Sequence, residues 1–157
     1  MLDFLTNQAA VKLMDQVGQP FKSVPHLPKE ITNFLVTIIP WLALIGGVTG
    51  IIGAITTITG GSAVYRMSAL VGVGSSYSTY MIVASVFSLI TAALLLMAFT
   101  PLKNKAAAGW AFLFWTNVVS IAQNVVSLII WQGGILGIIV GVIIGLYLLY
   151  EVRPLYK

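Results

Sequence analysis

The chain has 157 residues, of which 59% are hydrophobic and 8% charged, with a mean hydropathy of +1.00 and a formal net charge of +4. Such a composition is too apolar for a soluble single domain, and it excludes a nucleic-acid module, which needs clustered basic residues on a polar surface. Cysteine is absent, which removes disulfides, thiolate metal sites and cysteine nucleophiles.

In the opening stretch MLDFLTNQAAVKLMDQV, Leu2, Leu5, Ala9, Leu13 and Val17 recur at helical spacing, while Asp3, Asn7, Lys12 and Asp15 fall elsewhere. This predicts an amphipathic interfacial helix within residues 1–19, its apolar face on the inner membrane surface. The same charges interrupt the apolar positions, unlike the plan of a cleavable signal, so the segment is expected to be retained. Residues 20–30 follow as a linker in which Pro20, Pro25 and Pro28 favour extended backbone and Pro28 opens the next helix. His26, the only histidine, is expected there as a solvated side chain without the partners that a ligand or a pH switch requires.

No charge occurs between Glu30 and Arg66, between Arg66 and Lys103, or between Lys105 and Glu151. These gaps hold four spans, at about 31–58, 77–99, 106–130 and 134–152, each near the ~20 residues that cross a bilayer. The expected fold is therefore an all-α membrane protein, a four-transmembrane-helix bundle over 31–152 with a short tail at 153–157. Strands of a membrane barrel would alternate apolar and polar residues, and runs such as Leu89 to Ala98 do not.

Pro40 lies inside the first span, where it shapes the start of the helix. The connection GGSAVYRMSALVGVGSSYSTY is too apolar for an ordinary loop. It is expected to form a short helix on or dipping into the outer surface, with Tyr65, Tyr77 and Tyr80 at headgroup depth and Arg66 contacting lipid phosphates. TPLKNK is a compact inner turn, and WQGG makes a hairpin of the last two spans. In the closing YEVRPLYK and just before it, Tyr147 and Tyr150 suit the inner aromatic belt, and Glu151 and Arg153 can reach headgroups or each other.

Four spans put the N-terminal segment, the Lys103 turn and the tail on one side with Lys12, Lys22, Lys29, Lys103, Lys105, Arg153 and Lys157, and leave Arg66 on the other. Seven basic residues against one predict both termini in the cytoplasm, at the cell (inner) membrane, with the net charge meeting anionic lipids. In architecture alone the chain resembles small bacterial inner-membrane proteins of four spans.

Glycine recurs every fourth residue at Gly133, Gly137, Gly141 and Gly145 in GGILGIIVGVIIG, a glycine zipper along one helix face. Gly46, Thr49, Gly50, Gly53, Thr56, Thr57 and Gly60 give the first span a second small-residue face. The expectation is that these two faces pack antiparallel within one chain, with self-association through the last span as the competing arrangement.

In the third span Thr116, Asn117, Ser120, Gln123, Asn124, Ser127 and Trp131 share one face. Lipid cannot satisfy those groups, so they are expected to make interhelical hydrogen bonds, the alternative being that Asn117, Gln123 and Asn124 line a polar path or lipid-headgroup cleft with Ser78, Ser85 and Ser88. No ionisable residue falls at membrane depth, which argues against proton relays and ion-coupled carriage. Small four-span drug exporters match in size, but they depend on an acidic residue in the first helix, and this one has none. No catalytic residues, metal ligands or cofactor are expected. The functional expectation is a non-catalytic accessory or assembly subunit, or a homo-oligomer, whose partners are membrane lipids and other membrane helices and not nucleic acid. The alternative is a small uncoupled channel or transporter lined by the polar face of the third span.

Overall fold

The computed structural model describes the backbone of residues 8–70, 74–131 and 135–156, with side chains except those of Lys22 and of residues 61–79 and 130–138. Five α-helices follow one another as α1 (Gln8–Gly18), α2 (Lys29–Leu70), α3 (Gly74–Lys103), α4 (Ala107–Trp131) and α5 (Ile135–Val152), with one-turn 3-10 helices at Gln19–Ser23 and Arg153–Leu155. The described residues contain no strand. Lys29–Gly60, Tyr80–Lys103 and Ala107–Ile129 are three helices long and apolar enough to cross a membrane.

α2 is the longest element, 42 residues and so ~63 Å. It starts where expected, with the Thr32 amide donating to the Pro28 carbonyl at 3.1 Å. It does not end near residue 58 to leave a separate surface helix. The backbone stays helical through Gly60 and Gly61 to Leu70, because two glycines weaken a helix by only ~1 kcal/mol each and nothing in SAVYRMSAL removes a backbone donor. Arg66 therefore belongs to α2; its side chain and those of Tyr65 and Tyr77 lie outside the described ones.

α2 and α3 run antiparallel along a seam of small side chains. Val36, Pro40, Ala43, Gly47, Gly50 and Ala54 are spaced 4-3-4-3-4, the 3.5-residue average that keeps one narrow stripe against a neighbour. Ala43 and Ala54 are almost fully buried, and across the seam so are Ser85, Ala92 and Ala98. A Cβ added at Gly47 would lie 2.7 Å from Leu96 and 3.2 Å from the Ala92 carbonyl, and one at Gly50 would lie 3.1 Å from the Ala92 methyl. Gly46 stands at the rim, where its Cβ would meet Leu95 at 3.3 Å. The Ser88 hydroxyl donates across the seam to the Gly50 carbonyl at 3.2 Å. Two of the glycines expected to meet α5, Gly46 and Gly50, thus meet α3 instead. Ala92 and Ser88 of α3 present the small surface that the last span was expected to supply.

α3 turns into α4 just as closely. Lys105 takes a left-handed conformation (φ 53°) and the Ala106 amide donates to the Pro101 carbonyl at 2.9 Å, which ends α3 abruptly. At Gly109 a Cβ would lie 2.6 to 2.9 Å from the backbone of Pro101 and Leu102, so only glycine lets α4 start this near α3. α5 returns antiparallel to α4, with Leu149 at its end beside Trp110 at the start of α4. The described core collects at this end, from Ala98, Leu102, Trp110, Ala111, Phe112, Phe114, Leu149 and Val152.

If the seam governs α2–α3 packing, Gly47→Leu should overpack it by about 1–3 kcal/mol and lower the thermal midpoint in detergent by several degrees. Gly53→Leu should leave the midpoint near native, since a Cβ there has nothing within 4 Å. Equal losses from both substitutions would contradict the seam.

Candidate functional site

The N-terminal segment is clasped against the end of α5. α1 buries Ala10, Met14 and Gly18. Of the face expected on the membrane, Ala9 and Leu13 are exposed, Val17 is half-buried, and Leu2 and Leu5 lie outside the described residues. The buried face meets an aromatic surface of the protein, which the sequence pattern does not foretell. A Cβ on Gly18 would lie 2.5 Å from the Tyr150 ring, so glycine alone admits that ring at van der Waals distance.

Tyr150 is the hub. Its hydroxyl donates to the Met14 carbonyl. Its ring stacks on Phe21 at 5.6 Å and meets Trp110 and Phe114 edge-on at 5.4 and 6.5 Å. The Trp110 indole donates to the Leu149 carbonyl at 2.7 Å, supplying a partner to one of the last four carbonyls of α5. Arg153 covers the Trp110 ring at 4.7 Å and pairs with Asp15 of α1 at 2.6 Å.

Glu151 and Tyr147 fasten the linker. The Glu151 carboxylate accepts the Leu27 amide at 2.9 Å and lies 3.2 Å from His26 Nδ1, and the Tyr147 hydroxyl donates to the Pro25 carbonyl at 2.6 Å. Pro25 lacks an amide but keeps this acceptor, which is why a proline-rich linker can be held by donors from α5. His26 is solvated as expected, its side chain 72% exposed, yet it has Glu151 as a partner. Glu151 and Arg153 do not pair with each other: each reaches a residue of the N-terminal segment. Between these groups lies a cavity of about 210 Å³, lined among others by Asp15, Phe21, Tyr147, Tyr150, Glu151 and Arg153. Among the described residues no three His, Asp or Glu side chains come together in a way that could hold a metal ion. Tyr156, just beyond α5, is buried with no partner for its hydroxyl among the described residues, and burial pushes its phenol up to about 12.

The polar face expected on the third span is divided in α4. Thr116, Asn117 and Ser127 donate to the carbonyls of Phe112, Leu113 and Gln123 in their own helix, at 2.9, 3.0 and 2.8 Å. Ser120, Gln123 and Asn124 are half-buried. Gln123 and Asn124 make no side-chain hydrogen bond among the described residues. Ser85 donates to its own helix and Ser88 to α2, while the side chain of Ser78 is not described. In α5, Gly145 faces α4, where a Cβ would lie 3.1 Å from Asn117 Oδ1, and Gly141 has nothing within 4 Å. The surroundings of Gly137 are not described, and Gly133 lies outside the described residues.

Compared with known proteins, the chain matches no family model, no curated protein and no solved structure.

Gly18→Leu should displace the Tyr150 ring and free α1, making residues 8–27 cleavable by protease in detergent while the longer helices stay intact; unchanged protection would contradict the clasp. Tyr156→Phe should leave stability equal or raised, because the hydroxyl it removes is buried without an acceptor. A phenol raised from 10.0 to about 12 by folding contributes stability that is complete below pH 10 and lost as pH rises through 12. The variant should accordingly lose less stability than the native protein between pH 10 and 12.

Proposed function

We propose that the chain is a small, non-catalytic multi-pass protein of the cell membrane, a four-span bundle that works through lateral helix packing as an accessory or assembly subunit or as a homo-oligomer. Support for the membrane setting comes from the outward apolar residues of α2. Trp41, Leu42, Ile45, Ile52, Ile55 and Ile58 are each more than half exposed, a surface that lipid solvates and water does not. α5 serves as the fourth span: its 18 residues reach ~27 Å and it returns alongside α4. The clasped end also gathers Lys12, Lys29, Lys103, Lys105 and Arg153, which supports a cytoplasmic placement of that end. Val11 and Leu13 project from α1 away from the bundle and would rest on the inner leaflet.

The observation that carries the assembly reading is the first half of α5. Ile139, Val140, Ile143 and Ile144 are about half exposed, and Gly141 among them leaves the backbone bare. The contacts described above hold α5 from Gly145 onward, so at Ile139 to Ile144 a second copy or another membrane helix has a surface to approach. The rival reading, a small uncoupled channel or transporter, draws on Gln123 and Asn124, whose amides lack partners among the described residues.

The mass of the protein in nanodiscs should correspond to a discrete oligomer that Gly141→Leu converts to a folded monomer. A native monomer whose stability and mass Gly141→Leu leaves unchanged would overturn the assembly reading. Transport that Asn124→Leu abolishes in a folded protein would establish the rival.

A further inference from the structure

The Glu151 side chain is only 9% exposed, and among the described residues it has no permanent counter-charge. Its partners are a backbone amide and His26, which is largely in solvent and carries charge only when protonated. Arg153, two residues away, is committed elsewhere, to Asp15 and to the face of Trp110. A buried carboxylate in that position is stabilised by a cation, and the cavity beside it has room for one.

The rest of the lining narrows what that cation is. Two carboxylates, Asp15 and Glu151, and one guanidinium leave the cavity with one net negative charge when His26 is neutral. Phe21, Tyr147 and Tyr150 supply aromatic walls, which attract organic cations through their ring faces. Among the described residues no group of three His, Asp or Glu side chains converges there as a hard metal ion would favour. At about 210 Å³ the space is smaller than a site for a drug-sized ligand and suits a headgroup or a small amine.

We propose that this cavity binds an organic ammonium group, whose nitrogen sits against the Glu151 carboxylate among the rings of Phe21, Tyr147 and Tyr150. Two carriers share that chemistry: an aminophospholipid headgroup and a free amine. The lipid carrier rests on the membrane placement proposed above; the ammonium site itself does not.

The test uses the full-length protein in mild detergent, with the thermal midpoint as readout. Three probes are compared: phosphatidylethanolamine, the same lipid with its amine acetylated, and free ethanolamine. The charged lipid at saturation should raise the midpoint by about 5 °C through mass action, and the acetylated lipid should not. A matching rise with ethanolamine identifies the amine alone as sufficient; a rise confined to the lipid identifies the membrane-borne headgroup; both support an ammonium site. Glu151→Gln, which keeps an acceptor for the Leu27 amide, should abolish the response. Equal rises with the charged and acetylated lipids, no rise with any probe, or a native response from Glu151→Gln would overturn the proposal. The comparison of the two lipids needs no variant, so it stands even if Glu151→Gln folds poorly.

Discussion

One side chain, Tyr150, joins what would otherwise be two loosely related pieces. Its ring is held among Gly18, Phe21, Trp110 and Phe114, and its hydroxyl reaches the Met14 carbonyl. Aromatic contacts of this kind contribute ~0.5–1.5 kcal/mol each beyond the area they bury. Around that ring, Asp15 meets Arg153, and Glu151 meets Leu27 and His26, so residues separated by more than a hundred positions close a ring of contacts. The cavity exists because these contacts hold the linker across the end of α5.

A second constraint sets the distances between the long helices. Lipid gives apolar side chains little reason to leave it, so association in the proposed setting depends on how closely backbones approach. Gly47, Gly50 and Ala92 provide that approach between α2 and α3, and Gly109 provides it between α3 and α4. The packing is tight at the clasped end and looser at Ile139, Val140, Ile143 and Ile144 of α5, which are about half exposed. The proposed assembly surface at Ile139 to Ile144 and the proposed ammonium cavity at Tyr147 to Arg153 therefore occupy different stretches of the chain.

Helix positions were legible in the sequence because uninterrupted apolar runs between sparse charges have few alternatives. Helix partners were less so. The glycine faces of the first and last spans look complementary on a wheel, yet Gly46 and Gly50 meet α3. The spacing of Ala43, Gly47, Gly50 and Ala54 was present in the sequence, but alanine draws less attention than glycine, and Gly47 falls off the G-x-x-x-G register of Gly46 and Gly50. The apolar connection after residue 58 suggests a separate surface helix, whereas α2 continues through the Gly60–Gly61 pair to Leu70, a pair that a helix tolerates.

The clasp was the least legible feature. Tyr147, Tyr150, Glu151 and Arg153 all suit a membrane interface, and nothing local distinguishes a tyrosine at headgroup depth from one bonded to a distant carbonyl. Complementary charges on Asp15 and Arg153 were a faint signal, and the donor-poor linker around Pro25 and Pro28 was another. The measurement that tests the clasp most directly is nuclear Overhauser spectroscopy of the protein in lipid nanodiscs, read at the α-protons of Gly18 and the ring protons of Phe21 and Tyr150. The account predicts cross-peaks from Tyr150 to both residues and Gly18 α-protons shifted by the ring current. Cross-peaks from Gly18 and Phe21 to lipid chains, with none to Tyr150, would contradict it.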